Sequence, residues 1–166
     1  MALTSTLSHT VEEVWKALDE VQDPEIPVLS LVDLKVVREI QVEGTSVTVR
    51  LVPTFAGCPA METMRRDVER RLAAMGFTEV SVHIERSASW STEQMMDSTK
   101  EKLRSFGIAP PPSKLESLHA TLSVPVPCPF CESLDTRPDG EFGSTLCKQY
   151  FFCNACRQSF ERFKPL

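Results

Sequence analysis

Two cysteine pairs near the C-terminus, Cys128-x-x-Cys131 and Cys153-x-x-Cys156, restrict what this chain can fold into more than any other feature. Two residues between thiols let one tight turn aim both sulfurs at a single ion. Two such turns, joined by a hairpin, complete a tetrahedral S4 site. The 21 residues between the pairs slightly exceed the commonest ribbon spacing. Buried apolar cysteines would not explain two matched pairs within 29 residues. Zinc suits four thiolates in a redox-neutral structural role, and iron can occupy similar geometry. Four thiolates leave no open position for water, so the expected ion is structural. A ribbon over residues 128–166 has little core, so the metal should supply much of its folding free energy. Tyr150, Phe151, Phe152, Phe160 and Phe163 are expected to cover the site or form a contact patch, most of them by packing. Cys147 has no partner at ligand spacing and either packs, ligates a second ion or reacts.

The compartment bears on the remaining thiol. No apolar run approaches the ~18–20 residues needed to cross a bilayer. The N-terminal stretch MALTSTLSHTVEEVWKAL has neither a basic leader nor a continuous apolar core, so a cytoplasmic protein with reduced thiols is expected. The net charge of −5 arises in residues 1–110, which carry 12 basic and 17 acidic side chains, and the segment from Cys128 onward has five of each. That distribution lacks the basic footprint of a nucleic-acid binder. Neither nucleic acid nor a membrane is an expected partner.

Ahead of the ribbon the pattern is α+β. Thr10 and Glu13 form a capping-box pair before Val11, Val14, Trp15, Leu18 and Val21 at helical spacing, and Pro24 stops the run. The segment QDPEIPVLSLVDL reads as a rigid loop. Val36, Ile40 and Val42, then Val47, Val49 and Leu51, predict a hairpin turning at Glu43-Gly44. A second helix is expected from Pro59 to about Met75, ended by Gly76, and EVSVHIER alternates as a third strand. Ser91 and Gln94 are expected to cap a last helix with Met95, Met96, Leu103 and Phe106 inward, ended by Gly107. The expected organisation is an α-β-β-α-β-α domain over residues 1–107 with its helices on one sheet. A Pro-rich linker over 108–127 and the ribbon over 128–166 follow.

Between the second strand and second helix lies TFAGCPAME, with Cys58 between Gly57 and Pro59. Pro59 suits a first helical position, which makes Cys58 the expected N-cap. There its sulfur would face unpaired N–H groups and the positive end of the helix dipole, and a depressed thiol pKa is expected. Gly57 is expected to allow an unusual turn or a close backbone approach. The bland alternative is a small packed hydrophobe.

The loop DPEIPVLSLVDL at Asp23–Leu34, followed by T-x-x-G-C-P at Thr54–Pro59, resembles the SufT-like family of iron–sulfur assembly domains. With CPFC, EFGST-x-C and CNAC at the C-terminus, the whole chain resembles the PaaD family of accessory subunits from bacterial phenylacetyl-CoA epoxidase systems. The resemblance implies a non-enzymatic role in maturing metal centres of the epoxidase complex, with its iron–sulfur reductase component as client. It implies Cys58 as a cluster or iron ligand, with Asp23 and Glu25 as oxygen ligands or partner-positioning groups. One departure stands out: Lys35 occupies a position where many relatives have glycine, so a turn needing positive φ should differ here. One thiol cannot hold a cluster that usually takes four cysteines. A transient cluster or iron would be shared across a homodimer or with the client, or the chain only docks the client. A subunit-bridging adaptor with a purely structural zinc site remains an alternative. Enzyme chemistry at Cys58 would need a base, for which His9, His83 and His119 are available.

Overall fold

The computed structural model describes residues 9–112 and 125–166, and these form two compact units divided between Ser89 and Trp90. The mixed α+β class expected from the sequence holds.

The first unit begins with α1 (Val11–Leu18). Its capping box is reciprocal: the Glu13 N–H donates to Thr10 Oγ1 at 3.2 Å, and the Thr10 N–H donates to Glu13 Oε2 at 2.8 Å. The helix ends at Asp19, before Pro24 is reached. The following loop is an apolar layer of the core, with Ile26, Leu29, Leu31 and Leu34 each no more than 2% exposed. Burying a leucine or isoleucine contributes about 1.5–3 kcal/mol, so this loop is as firmly held as a helix. Its polar backbone is satisfied locally. Ser30 Oγ donates to Asp19 Oδ1 at 2.6 Å, and Ser30 and Asp33 exchange backbone-to-side-chain bonds at 3.1 and 2.9 Å. Lys35 closes the loop with φ of 56°. The turn is therefore retained without glycine, contrary to expectation, and lysine takes the left-handed conformation.

Strands β1 (Val37–Glu43) and β2 (Ser46–Leu51) form the expected hairpin, with Ile40 opposite Val49 and Gly44 at φ 61°. A register shift between Val37 and Glu39 lets both Val37 and Ile40 point inward. Helix α2 (Met61–Ala74) buries Met61, Met64, Val68 and Leu72, ends at Gly76 with φ 99°, and leads to β3 (Glu79–Ile84). β3 lies parallel to β2, giving the order β1-β2-β3. Helices α1 and α2 pack together on one face, tied by Arg71, which donates to Glu20 at 2.6 Å and to the Ala17 carbonyl at 3.3 Å. The other face is polar and carries Glu39, Arg50 and His83.

In the second unit, Ser91 caps a 3₁₀ turn (Thr92–Gln94) instead of a continuous helix. The chain extends at Met95 and Met96 before α3 (Asp97–Ser105). Met95 and Leu103 point inward as expected, whereas Met96 and Phe106 are exposed because the break rotates the helical face. Gly107 ends α3 at φ 86°. The expected linker starts as a strand: β4 (Ile108–Ala109) pairs in parallel with β7 (Ser159–Phe163). The sheet continues through β6 (Lys148–Cys153) to β5 (Thr136–Pro138), in the order β4-β7-β6-β5. Trp90 packs 6.0 Å from Phe163, and the Thr92 N–H donates to the Leu166 carbonyl at 3.1 Å. These contacts place α3 and β4 with the ribbon, so the compact division falls well before residue 107. Val126, near the far end of the expected linker, is buried in the ribbon core with Ala109, Phe151 and Phe160. Residues 113–124 of that linker lie outside the described residues.

Candidate functional site

The four ribbon cysteines converge. Cys128 Sγ lies 3.7 Å from Cys156 Sγ, Cys131 Sγ lies 3.6 Å from Cys153 Sγ, and all four sulfurs fall within 4.8 Å of one another. A tetrahedral zinc with Zn–S of about 2.3 Å requires sulfurs about 3.8 Å apart, so the donor set fits.

The two turns that carry them repeat one design. The Glu132 N–H donates to the Cys128 carbonyl at 2.9 Å, and the Arg157 N–H donates to the Cys153 carbonyl at 3.0 Å. The Cys128 N–H then reaches the Ser133 carbonyl at 3.0 Å, and the Cys153 N–H reaches the Gln158 carbonyl at 2.9 Å. Glu132 and Arg157, each just after the second cysteine, have φ of 61° and 62°. Left to themselves the four thiols share charge unevenly. The Cys156 N–H, followed by the neighbouring thiols, lowers Cys153 to about 7, while burial and then Cys153 push Cys156 up to about 12. A dication removes that conflict, because it favours all four thiolates.

A buried ion pair that composition did not announce supports the ribbon. Lys148, 3% exposed, donates to Glu161 Oε2 at 2.8 Å. Burial alone would raise the Glu161 carboxyl, but the Lys148 ammonium and the Ser144 N–H outweigh it and hold the pKa down. Gly143 is required beside this pair, since an added Cβ would sit 2.6 Å from Glu161 Oε1. Phe151, Phe160 and Phe163 pack as expected, and Tyr150 is exposed. Cys147 is buried, 3.1 Å from Thr145 Oγ1, and does not belong to the four-thiol cluster.

Cys58 stands in the first unit, half-buried, with its N–H bonded to the Phe55 carbonyl at 2.9 Å. Helix α2 begins at Met61 with Ala60 as N-cap, two residues later than expected, because Pro59 and Ala60 form a turn. The Ala60 and Met61 N–H groups nevertheless favour the thiolate. Their effect is outweighed. Desolvation comes first, and with the charges of Glu25 and Asp23 it raises the thiol above its ordinary pKa, opposite to the expected depression.

Asp23 is 5% exposed, and its Oδ1 accepts from the Glu25 and Ile26 N–H groups at 2.8 and 2.7 Å. Those bonds pin the acidic loop, whose Glu25 and Asp23 charges act on Cys58. The expected special role of Gly57 does not hold. Its φ is unexceptional, and an added Cβ would only touch the Phe55 ring at 3.5 Å. Arg86, unmarked by any motif, donates to the Ala56 carbonyl at 3.2 Å and steadies the cysteine loop from the end of β3. His9 bonds to the Met75 carbonyl at 2.7 Å, while His83 lies on the polar sheet face; neither is among the groups acting on Cys58. His119 falls outside the described residues. Among the described residues, the four ribbon thiols are the one cluster of three or more ligating groups close enough to share an ion. Cys58, Asp23 and Glu25 are electrostatic neighbours rather than a closed cage.

The comparisons follow this two-part division. Residues 11–84 match the family described as iron–sulfur cluster assembly protein, and residues 112–164 match the PaaD zinc beta ribbon domain. An assembly-type α+β domain joined to a zinc ribbon is thus the class that fold and cysteines define. A protein of Escherichia coli (strain K12), described as a putative subunit of 1,2-phenylacetyl-CoA epoxidase, is 40% identical over 154 residues, covering 93% of this chain and 92% of that protein. The chain belongs to the PaaD family. Two solved structures share the fold of the first unit. The Domain of Unknown Function DUF59 from Bacillus anthracis has a TM-score of 0.52 at 24% identity, covering 55% of this chain and 89% of that one. A conserved hypothetical protein from Thermotoga maritima has a TM-score of 0.51 at 30% identity, covering 58% and 95%. Among the described residues no helix is long and apolar enough to cross a membrane.

Proposed function

We propose that this chain is a non-catalytic accessory subunit of a phenylacetyl-CoA epoxidase system that assists maturation of an iron–sulfur cluster or metal centre in that complex. The observation that carries the reading is the partly buried Cys58, whose thiol feels two backbone N–H groups and the charges of Glu25 and Asp23. The sulfur is a soft donor, and the carboxylates raise the local affinity for a cation. At rest the raised pKa keeps Cys58 as a thiol. An arriving iron forms the S–Fe bond as the sulfur loses its proton to solvent, so ligation releases one proton. Three ligands are then still missing from a four-cysteine cluster, and the client, with its own cysteines, completes the set. The reductase component is the client this reading names; a second copy of the chain is the other source of ligands. Zinc in the ribbon is structural.

Co-expressing the reductase with a Cys58→Ser chain and measuring iron and sulfide per reductase tests this. Cluster content is expected to fall several-fold, and normal loading removes Cys58 from the mechanism. The adaptor reading draws on a different observation: most of the exposed large apolar side chains, including Phe106, Phe130, Phe142 and Tyr150, lie in the second unit. A pure adaptor gains no iron-dependent absorbance after anaerobic treatment with iron and sulfide.

A further inference from the structure

We propose that the outer edge of β3 pairs antiparallel with β3 of a second copy of this chain, joining two three-stranded sheets into one. In the order β1-β2-β3, β3 has β2 as its one neighbour, in parallel. The Glu79 and Glu85 N–H groups point to that neighbour's side, donating to the Thr45 and Leu51 carbonyls at 3.3 and 2.8 Å. Alternation along a strand turns the backbone of Val80, Val82 and Ile84 the other way. Among the described residues nothing hydrogen-bonds to those outward groups. Natural edges are blunted by proline, lysine or a bulge. The β1 edge has a register shift between Val37 and Glu39 and bears Arg38, which reaches the Ser89 carbonyl at 3.3 Å. EVSVHI has none of these devices, and its pairing with β2 is regular throughout. The apolar row of the sheet also ends unfinished there. Val47, Val49 and Leu51 of β2 are at most 1% exposed, whereas their neighbours Val80, Val82 and Ile84 are only partly covered.

The strand's own sequence selects the occupant. Pairing about Ser81 sets Val80 opposite Val82 of the second copy, each pair exchanging both N–H···O bonds, and sets Glu79 opposite His83. Glu79 and His83 are exposed, and neither has a hydrogen bond or ion pair among the described residues. A carboxylate facing an imidazole across the strands favours this register, and two-fold symmetry supplies the contact twice. Centring on Val82 instead would set Glu79 against Glu85, and centring on His83 would bring the two imidazoles together. An unrelated strand would leave the complementarity unused. The antiparallel arrangement also separates the two Cys58 loops. Each is held at the Ala56 carbonyl by Arg86, five residues beyond Ser81, so at ~3.3 Å per residue they lie on the order of 30 Å apart. Copies joined in this way cannot share one cluster between their Cys58 thiols, which leaves the client to complete the ligand set.

The pairing itself does not depend on Cys58, so its failure and the failure of the maturation reading are separable. The test is sedimentation of the full-length, zinc-loaded chain over a range of concentrations, where a monomer–dimer equilibrium is expected. Val82→Pro removes an outward N–H, which an edge strand tolerates, and should give a monomer with unchanged zinc content and far-UV spectrum. Glu79→Lys and His83→Glu should each weaken the dimer several-fold, and the double variant should recover it. Ser81 would face its own copy in a close, non-hydrogen-bonded pair. Ser81→Cys should therefore give a disulfide-linked dimer with oxidised glutathione, which the wild-type chain does not. The proposal is overturned if the chain sediments as a monomer even at the concentrations used for amide spectra. It is equally overturned if the dimer survives Val82→Pro and the charge variants, or if Ser81→Cys does not cross-link. A monomer whose β3 amides respond to a partner protein's strand would assign the edge to a client and likewise overturn it.

Discussion

The ribbon thiols and Cys58 are the same functional group in opposite circumstances. In the ribbon, two turns with matching hydrogen bonds and matching left-handed residues bring four sulfurs within 4.8 Å, and the donor set is complete before any ion arrives. Cys58 has two N–H groups and two carboxylates for company and no second sulfur in a ligating cluster among the described residues. A complete set holds its ion for the life of the fold. An incomplete set holds one only while something else supplies the rest, which suits hand-over better than storage.

The largest expected effect falls on the complete site. Replacing Cys153, which is fully buried, with serine should abolish stoichiometric zinc and unfold the ribbon sheet, read as metal content and loss of amide dispersion in residues 125–166. Acid should act similarly, because protons compete with zinc for all four sulfurs, and zinc release should therefore increase as pH falls.

Next comes the ion pair. Glu161→Gln leaves the Lys148 ammonium buried without its counter-charge and should cost about 3 kcal/mol in denaturant unfolding. Because the Glu161 pKa is lowered in the folded chain, the wild-type advantage is present above the unfolded carboxyl pKa of about 4.3. It is lost as pH falls through the folded value, and the wild-type and Gln chains should converge in acid.

Cys58→Ser, by contrast, should leave zinc content unchanged and move stability by about 1 kcal/mol or less, since the exchange keeps the side chain's size at a partly buried position. If it unfolds the first unit, Cys58 is a packing residue and the contrast fails. Alkylation sharpens the same point. The raised pKa leaves less thiolate at pH 7 than in a free cysteine, so iodoacetamide should react more slowly and gain speed well into the alkaline range. Glu25→Gln removes one of the charges opposing the thiolate and should accelerate alkylation at pH 7 a few-fold.

The smallest effects concern backbone. Lys35, Glu132 and Arg157 all hold positive φ, and glycine at each should stabilise its unit by at most about 1 kcal/mol, seen as a rise of a few degrees in Tm.

Features legible in the sequence are those whose causes are local. Thr10 and Glu13 cap α1 within a single turn, Gly76 and Gly107 end their helices by their own φ, and each cysteine turn closes within six residues. What the sequence conceals depends on distant partners. Helix α3 joins the ribbon because the two-residue β4 pairs with β7, some fifty positions away, and no periodicity in Ile108-Ala109 signals that. The run Ile26–Leu34 reads as a connection because its apolar spacing matches neither helix nor strand, yet it fills the core. For Cys58 the favourable N–H groups are legible from Pro59 and the helix pattern. Desolvation and the approach of the Asp23–Glu25 loop, which reverse the sign, come from tertiary packing.

A sulfur kept protonated also has a chemical longevity that an activated one lacks. Peroxide attacks thiolates, and a cysteine whose proton is retained moves only slowly onto the ladder of sulfenic and sulfinic acids. By holding Cys58 below its reactive form, burial first and then the charges of Glu25 and Asp23 make the resting thiol durable under oxidants.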